Sequence, residues 1–409
     1  MTEIDYPVLI LLTGAVVAVA IPVKGVLERT PVPPLVGFLL MGLGIRLADD
    51  HWGLLGTGAL DVFRYLAKVG VVMLLFRIGL ESNLRGLLAQ LRRASLVWVA
   101  DVAISGTLAF WAAYSLLGMT LLTSLVVATA MTATSVGISV AVWERANALD
   151  SPDGELLIDV AELDDISAVI LMALLFAVLP MIRTEGLDWD LLPVVGRTAG
   201  IFLAKLVGFG GICALFAHFL EAPMTRSFRR ICPRPNLMLL VVGIGLIFAA
   251  LAGMLGFSLA IGAFFAGLVF SRDPESVKLE AAFSPLYALF TPFFFIGIGL
   301  DLDPGSLTSA AAAGGILLLV AVGAKLVADG LPVAALRGAK AGVLLGVSMV
   351  PRAEISMIIM HKGLRLGDWA VTPRAFGAAV VVSAGTCMIV PLVVRSLLER
   401  WPRKGEENG

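Results

Sequence analysis

The sequence has little charge and few side chains that bind metals or form disulfides. Of its 409 residues, 15% are charged, three are cysteine and three are histidine. Neither the cysteines nor the histidines have the spacing of a disulfide framework or a metal site. A net charge of -1 argues against a nucleic-acid partner. The sequence also has no phosphate loop, dinucleotide fingerprint or HExxH motif, so we expect neither an enzyme nor a bound cofactor.

What the sequence has in excess is apolar segments. Hydrophobic residues make up 59% of the chain and the mean hydropathy is +0.96, far above that of a soluble domain. Segments of roughly 17 to 25 apolar residues, the length that spans a hydrocarbon core, recur along the chain. The sequence therefore predicts an all-α polytopic membrane protein with about 13 transmembrane helices. The predicted spans cover about 7–23, 33–46, 58–80, 94–117, 121–143, 156–182, 192–220, 236–255, 257–271, 282–300, 307–332, 338–361 and 373–398.

Basic residues lie mainly in alternate loops between these spans, as the positive-inside rule requires. This alternation predicts an external N-terminus and a cytoplasmic C-terminus, with 399–409 as a short cytoplasmic tail. Glu3 and Asp5 precede the first span in place of a basic leader, so we expect this span to be retained rather than cleaved as a signal peptide.

Two stretches of the sequence recur, which indicates an internal repeat. Val36–Leu43 resembles Ile261–Leu268 at an offset of 225 residues, and Phe76–Glu81 resembles Ile296–Asp301 at an offset of 220. The matching spans are seven positions apart, an odd number, so the second copy enters the membrane from the opposite side. Inverted repeats are typical of secondary transporters, although glycine-rich spans can also match by chance. We expect one transporter domain over 1–409, with repeats at about 7–182 and 236–398 and a linking helix at about 192–220.

The same offset aligns two stretches that should interrupt their helices. Thr132-Ala133-Thr134-Ser135 in the fifth span aligns with Pro351-Arg352-Ala353-Glu354 in the twelfth, 219 residues later. Small hydroxyl residues can form hydrogen bonds with backbone N–H and C=O groups that have lost their helical partners. A proline has no N–H and cannot continue the hydrogen-bond pattern of a helix. Broken helices at matching positions of two repeats indicate an ion site. Arg352 and Glu354 would then neutralise the helix ends, or pair with each other as a structural ion pair.

Two adjacent acids, Asp164 and Asp165, lie inside the sixth predicted span. Insertion scales put the cost of each ionised carboxylate at the centre of a membrane helix at ~2.5 to 3.5 kcal/mol, so the pair needs a function or a partner. Asp165 lies near the middle of the membrane and is our candidate ligand for a transported ion. The hydroxyls of Thr132, Thr134 and Ser135 could complete a shell of oxygen atoms around a hard cation.

Together these motifs resemble the cation:proton antiporter superfamily, in its second monovalent-cation branch. That branch includes bacterial sodium/proton antiporters and Kef-type potassium efflux proteins. The motifs that carry the resemblance are Pro33–Gly37, Val71–Glu81, Thr132–Ser135, Asp164-Asp165, Gly256–Gly267, Phe293–Leu302, Gly323–Leu326 and Pro351–Glu354. Arg77 departs from the family pattern, and an ion pair with Glu81 one turn later explains it.

The resemblance implies a homodimeric antiporter of thirteen helices in the plasma membrane. A core containing the unwound, crossed fifth and twelfth spans would move against a dimerisation scaffold to give alternating access. Asp165 corresponds to the acid that takes a cation or proton, and Asp164 to the acid that pairs with a lysine, here Lys325. This combination favours electrogenic exchange of sodium or lithium for protons, with potassium/proton exchange as the alternative.

Three further acids, Asp101, Asp159 and Asp329, lie within the predicted spans. Asp329 follows Lys325 by four residues and could compete with Asp164 for the ammonium group. Asp101 and Asp159 lie near predicted cytoplasmic ends of their spans, so we expect interfacial roles for both.

A sodium-coupled organic-solute symporter is a less favoured function, because it would not need the acid pair and lysine. A channel or receptor is less favoured still, because the sequence has no pore-filter repeat and no sensor domain.

Overall fold

All the regular secondary structure in the described part of the chain is helical. A computed structural model describes residues 6–30, 32–53, 55–81, 84–185, 192–221, 223–224, 227, 236–271 and 276–402. Within these ranges the chain forms α-helices, short π-helical segments and one 3-10 turn, and no strand. The prediction of an all-α membrane protein is therefore confirmed. Eight of the described helical segments are long and apolar enough to cross a membrane, so the count of thirteen spans stays a prediction.

Each predicted span overlaps one or two of the observed helices. In chain order these are α1 (Tyr6–Leu27), α2 (Pro34–Trp52), α3 (Thr57–Glu81), α4 (Leu84–Trp111), α5 (Leu121–Thr132), α6 (Gly137–Arg145), α7 (Pro152–Glu185), α8 (Leu192–Leu215), α9 (Asn236–Met254), α10 (Leu259–Phe270), α11 (Ser276–Leu300), α12 (Leu307–Lys325), α13 (Leu331–Arg337), α14 (Ala339–Ser348), α15 (Glu354–Leu366) and α16 (Pro373–Arg400). The π-helical segments are Ala112–Leu116 after α4, Phe216–Leu220 after α8 and Leu326–Gly330 between α12 and α13.

Local sequence explains several helix starts. The hydroxyls of Thr120, Ser258 and Thr372 accept hydrogen bonds from the first-turn amides of α5, α10 and α16, at 3.2, 3.4 and 3.2 Å. A hydroxyl at this position satisfies one of the amide groups that a helix start leaves unpaired. Pro332 explains the π-helical segment before it, because a proline has no N–H to donate to the carbonyl four residues earlier.

The helices form two compact units, of which the first comprises Met1–Gly25, Gly37–Leu84 and Thr184–Asp301. Within it α3 packs against α10 and α11, and α9 packs against α10. Arg77 of α3 forms the predicted ion pair with Glu81 and also lies over the ring of Tyr287, 4.5 Å from its centroid.

Two helix crossings in the first unit depend on glycine. A Cβ atom at Gly42 would lie 2.1 Å from the Ile296 carbonyl oxygen and 2.9 Å from the Gly299 Cα. A Cβ atom at Gly267 would lie 2.2 Å from the Phe76 carbonyl oxygen and 2.8 Å from the Gly79 carbonyl carbon. The sequence repeat aligns Gly42 with Gly267 and Gly79 with Gly299. Each crossing therefore joins one glycine from each copy, which supports the repeat.

The second unit comprises Val26–Val36, Arg85–Arg183 and Leu302–Gly409. In it α5 packs against α15, α6 and α12 pack against α16, and α13 packs against α14. The pairs α5/α6 and α14/α15 are the two halves of the predicted broken spans. All the residues that the sequence analysis assigned to the ion site belong to this unit: Thr132, Thr134, Ser135, Asp164, Asp165, Lys325, Arg352 and Glu354.

The glycine crossings predict an unequal response to the same substitution at two positions of α2. Gly42→Ala forces a methyl group against the α11 backbone, and overpacking of this kind costs about 1 to 3 kcal/mol. Gly44→Ala is the matched control, because a Cβ there has nothing within 4 Å. Thermal unfolding of the purified protein in detergent should show a lower midpoint for Gly42→Ala alone. Equal midpoints for the two variants would contradict the crossing.

Candidate functional site

The site is organised by two interrupted helices that meet at their breaks. α5 ends at Thr132 and α6 begins at Gly137, while α14 ends at Ser348 and α15 begins at Glu354. The Ser135 amide donates a hydrogen bond to the Pro351 carbonyl at 2.8 Å, which joins the two non-helical stretches directly. The prediction that both spans lose helical hydrogen bonding near Thr134 and Val350 is therefore confirmed.

Side chains from neighbouring segments satisfy the carbonyl groups that the first break leaves free. The Ser356 hydroxyl donates to the carbonyls of Ala130 and Ala133 at 2.6 and 3.3 Å. The Lys325 ammonium group donates to the Thr132 carbonyl at 3.4 Å. Because a lipid environment offers no water to replace these donors, the break depends on side chains from two other helices.

Arg352 lies within the second break, and its guanidinium group donates hydrogen bonds to the carbonyl groups that this break leaves free. Its side chain is 1% exposed, and Nη1 donates to the carbonyls of Met349 and Pro351 at 3.2 and 3.3 Å and to the Thr134 hydroxyl at 3.2 Å. Glu354 is half-buried and accepts a hydrogen bond from the Ser135 hydroxyl. The contacts of Arg352 and Glu354 therefore go to the two breaks, which favours helix-end compensation over the alternative of a mutual ion pair.

The acid pair lies on α7, beside the first break. Asp164 is fully buried, and its Oδ2 accepts a hydrogen bond from the Thr134 amide at 2.8 Å. Its Oδ1 is buried without a hydrogen-bond partner among the described residues. Asp165 follows on the same helix and is half-buried. It lies 13 residues after the helix start at Pro152 (165 − 152), or ~20 Å at about 1.5 Å per residue.

Lys325 is surrounded by three carboxylates, all of them completely buried. Its ammonium group hydrogen-bonds to Asp101 and lies 3.7 Å from Asp329 Oδ2 and 3.9 Å from Asp164 Oδ2. The expected contact with Asp164 is thus present only at ion-pair distance. The expected competition from Asp329 is present as well, and Asp101 holds the lysine most closely.

The expectation of an interfacial role for Asp101 is wrong. The predicted span began at residue 94, whereas α4 begins at Leu84, so Asp101 lies 17 residues into the helix (101 − 84), or ~25 Å from its start. Its side chain is 0% exposed. The signal that could have found it is the same cost of burying an ionised acid in an apolar segment that singled out Asp164.

The structure brings most of the predicted site residues into direct contact. Asp164 contacts Thr134 and Lys325, Thr134 contacts Arg352, and Ser135 contacts Glu354. The Thr132 hydroxyl instead donates within its own helix, to the Thr129 carbonyl at 2.9 Å. Among the described residues, no three histidine, cysteine, aspartate or glutamate side chains are arranged to hold a resident metal ion. The Lys325 ammonium fills the position between the three carboxylates that a cation would otherwise take.

Comparisons with known proteins identify the family and the fold of the chain. A sequence model of the family described as sodium/hydrogen exchanger, transmembrane, matches residues 15–400. The high-affinity Na(+)/H(+) antiporter NhaS3 of Synechocystis sp. is 27% identical over 348 residues, covering 83% of this chain and 72% of that protein. The Na(+)/H(+)-K(+) antiporter GerN of Bacillus cereus is 28% identical over 372 residues, covering 89% of each. The structure of the sodium proton antiporter MjNhaP1 from Methanocaldococcus jannaschii at pH 8 shares the fold, with a TM-score of 0.67, 15% identity, and coverage of 97% of this chain and 98% of that one.

The position of Arg352 predicts a large loss of stability when its charge is removed. Arg352→Gln leaves buried acceptors at the breaks without their charged donor, and a buried acceptor left unsatisfied costs about 1 to 3 kcal/mol. Arg337→Gln is the matched control, because Arg337 forms a part-exposed ion pair with Asp153 at 3.3 Å and such pairs contribute at most about 1 kcal/mol. Thermal unfolding in detergent should separate the two variants. If both unfold at the same temperature, Arg352 does not support the breaks.

Proposed function

The chain belongs to the sodium/hydrogen exchanger family, and from this premise we propose that it is a secondary active antiporter. It exchanges a monovalent cation for protons across the membrane by alternating access. The observation that carries the proposal is the buried contact between Asp164 and Lys325, placed where two broken helices cross and next to a second acid, Asp165. Ionisable groups at this depth are costly and are characteristic of ion and proton pathways.

The acid pair supports exchange because a carboxylate in the membrane interior is tolerable only when it is protonated, paired or bound to a cation. Asp165 is the proposed ligand of the transported ion, with Asp164 beside it. In one direction the carrier would cross with the cation bound, and in the other with a proton on the same carboxylate. Hydroxyl and carbonyl oxygens of Thr132, Thr134 and Ser135 are the further ligands that we propose, since hard cations prefer oxygen.

Lys325 gives a reason for exchange to move net charge. A cation that enters beside Asp164 repels the ammonium group, and a proton released from the lysine would leave with the other transported protons. Exchange of one cation for more than one proton is electrogenic. Arg352 and Glu354 would hold the helix ends in place during this step without binding the ion.

Sodium or lithium is our first choice for the cation, because the family resemblance associates an Asp-Asp pair and a lysine with sodium exchange. Potassium/proton exchange is the alternative, and the name of the Bacillus cereus relative, which includes both sodium and potassium, supports keeping it. A sodium-coupled organic-solute symporter would not require the lysine among three buried acids.

We also propose a homodimer in the plasma membrane, with the N-terminus outside and the C-terminus in the cytoplasm. The alternation of basic joints supports this orientation. The alternation also places the loop at 183–190 outside; of this loop and the predicted tail at 399–409, residues 186–190 and 403–409 lie outside the described residues. The two glycine crossings of the first unit support the inverted repeat that the sequence predicts.

Asp165→Asn tests the proposed function. The substitution keeps the side-chain volume and removes the charge, so the protein should insert normally but lose sodium-driven proton flux in proteoliposomes. Asp153→Asn is the matched control on the same helix, because that carboxylate pairs with Arg337. In the wild-type protein the apparent sodium KM should rise as the pH falls, since proton and cation compete. Flux that survives in Asp165→Asn would place the ion ligand elsewhere, with Asp164 the next candidate.

Lys325→Gln tests the proposed origin of charge movement. Without the ammonium group, cation entry no longer displaces a positive charge or a proton from the lysine. We expect the charge recorded after a sodium concentration jump on a solid-supported membrane to be abolished or strongly reduced. A variant that moves the wild-type charge per exchange would show that the lysine is structural.

A further inference from the structure

Asp101 and Asp329 are the two fully buried carboxylates beside Lys325 that the proposed exchange mechanism does not use, and of these only Asp101 is hydrogen-bonded to the ammonium group. Asp101 Oδ2 accepts the hydrogen bond from the lysine, and its Oδ1 accepts a hydrogen bond from the Ser105 hydroxyl at 2.8 Å. Ser105 lies one turn further along α4 and is itself 1% exposed. Both carboxylate oxygens of Asp101 are therefore partnered, which fixes the side chain as a rigid acceptor for the ammonium group.

Asp164 presents the opposite arrangement. Its Oδ2 accepts from the Thr134 amide and lies 3.9 Å from the Lys325 ammonium, beyond hydrogen-bond distance. Its Oδ1 is buried and has no hydrogen-bond partner among the described residues. The lysine thus neutralises Asp164 at a distance and leaves one of its oxygens open.

A small displacement would change this arrangement. Shortening the distance from 3.9 Å to the ~2.8 Å of a charge-assisted hydrogen bond moves the ammonium by only about 1 Å. Asp329 cannot direct that choice, because it lies on the segment just after Lys325 and moves with it. The ammonium group has two other hydrogen-bond acceptors, the Asp101 carboxylate on α4 and the Thr132 carbonyl, and Asp101 is the charged group that opposes the movement toward Asp164.

We propose that Asp101 is a positioning residue for antiport, which holds the Lys325 ammonium beyond hydrogen-bond distance of Asp164, so that the transported cation need not break a hydrogen bond between them. The inference rests on the proposed function, since it assigns a role within that ion site. It also separates two tasks. Asp164 faces the ion, while Asp101 never contacts the ion and acts only through the lysine.

A purely structural role for Asp101 makes a different prediction. If Asp101 merely neutralised a buried lysine, its loss would lower the amount of folded protein and would not change the affinity of the folded fraction for sodium. If it positions the lysine, its loss lets the ammonium form a hydrogen bond with Asp164. Sodium must then break that bond, so the apparent KM rises more than the maximal rate falls.

The experiment measures sodium-driven proton flux by the full-length chain in proteoliposomes, and sodium binding to the same purified protein. For Asp101→Asn we expect the sodium KM and dissociation constant to rise about tenfold, within the usual range of coupling between sites, with a maximal rate changed less than about twofold. Asp101→Glu restores a carboxylate and should recover most of the affinity. Asp153→Asn, whose partner is Arg337, should keep the wild-type affinity.

Two further variants keep the test decisive. Ser105→Ala removes only the hydrogen bond that fixes Asp101, so it should shift the sodium affinity in the same direction by less, even if Asp101→Asn folds poorly. In a Lys325→Gln background there is no ammonium group to hold. Adding Asp101→Asn to that background should therefore leave sodium binding unchanged.

Two results would overturn the inference while the proposed function stands. One is wild-type sodium affinity in both folded Asp101→Asn and Ser105→Ala, with Asp165→Asn still inactive. The other is an affinity shift that persists in the Lys325→Gln background. Absence of sodium-driven flux in the wild-type protein would overturn the proposed function itself, and this inference with it.

Discussion

The structure depends on one constraint: the backbone groups that two interrupted helices leave free must be satisfied inside the protein, because lipid cannot do it. Ser356 and Lys325 donate to carbonyls of the first break, and Arg352 donates to carbonyls of the second. The Thr134 amide of the first break donates to Asp164. Three charged groups of the candidate ion site, on Asp164, Lys325 and Arg352, thus also hold the broken helices in place, so a substitution at any of the three changes both the site and its support.

The fully buried charged side chains of the site carry more negative than positive charge. Three carboxylates, on Asp101, Asp164 and Asp329, face two cationic side chains, Lys325 and Arg352, and all five are at most 1% exposed. With every group ionised the formal charge is −3 + 2 = −1. An isolated negative charge is very costly in an apolar interior. These five groups therefore favour one further positive charge beside them, which is consistent with the proposed exchange of a proton for a cation at the neighbouring acid pair.

Sequence reasoning found the parts of the site that have a local signal. The breaks near Thr134 and Val350 follow from small hydroxyl residues and a proline, and the acid pair follows from the cost of charge in an apolar segment. Asp101 was misplaced because the start of α4 carries charge at 85–93 and reads as a joint, although the helix already begins at Leu84. The order of the lysine's three carboxylate partners depends on distances across separate helices, which no local pattern encodes.

The glycine crossings of the first unit have a consequence for how this sequence can change over time. Each crossing brings two backbones together, and each copy of the repeat contributes one glycine to both. A larger residue at any of the four positions meets backbone atoms rather than a side chain that could shrink in compensation. No single substitution on the opposing helix can therefore make room for a larger residue at a crossing. At these four positions a substitution in one copy of the repeat therefore strains the helix of the other copy, which couples the sequences of the two copies.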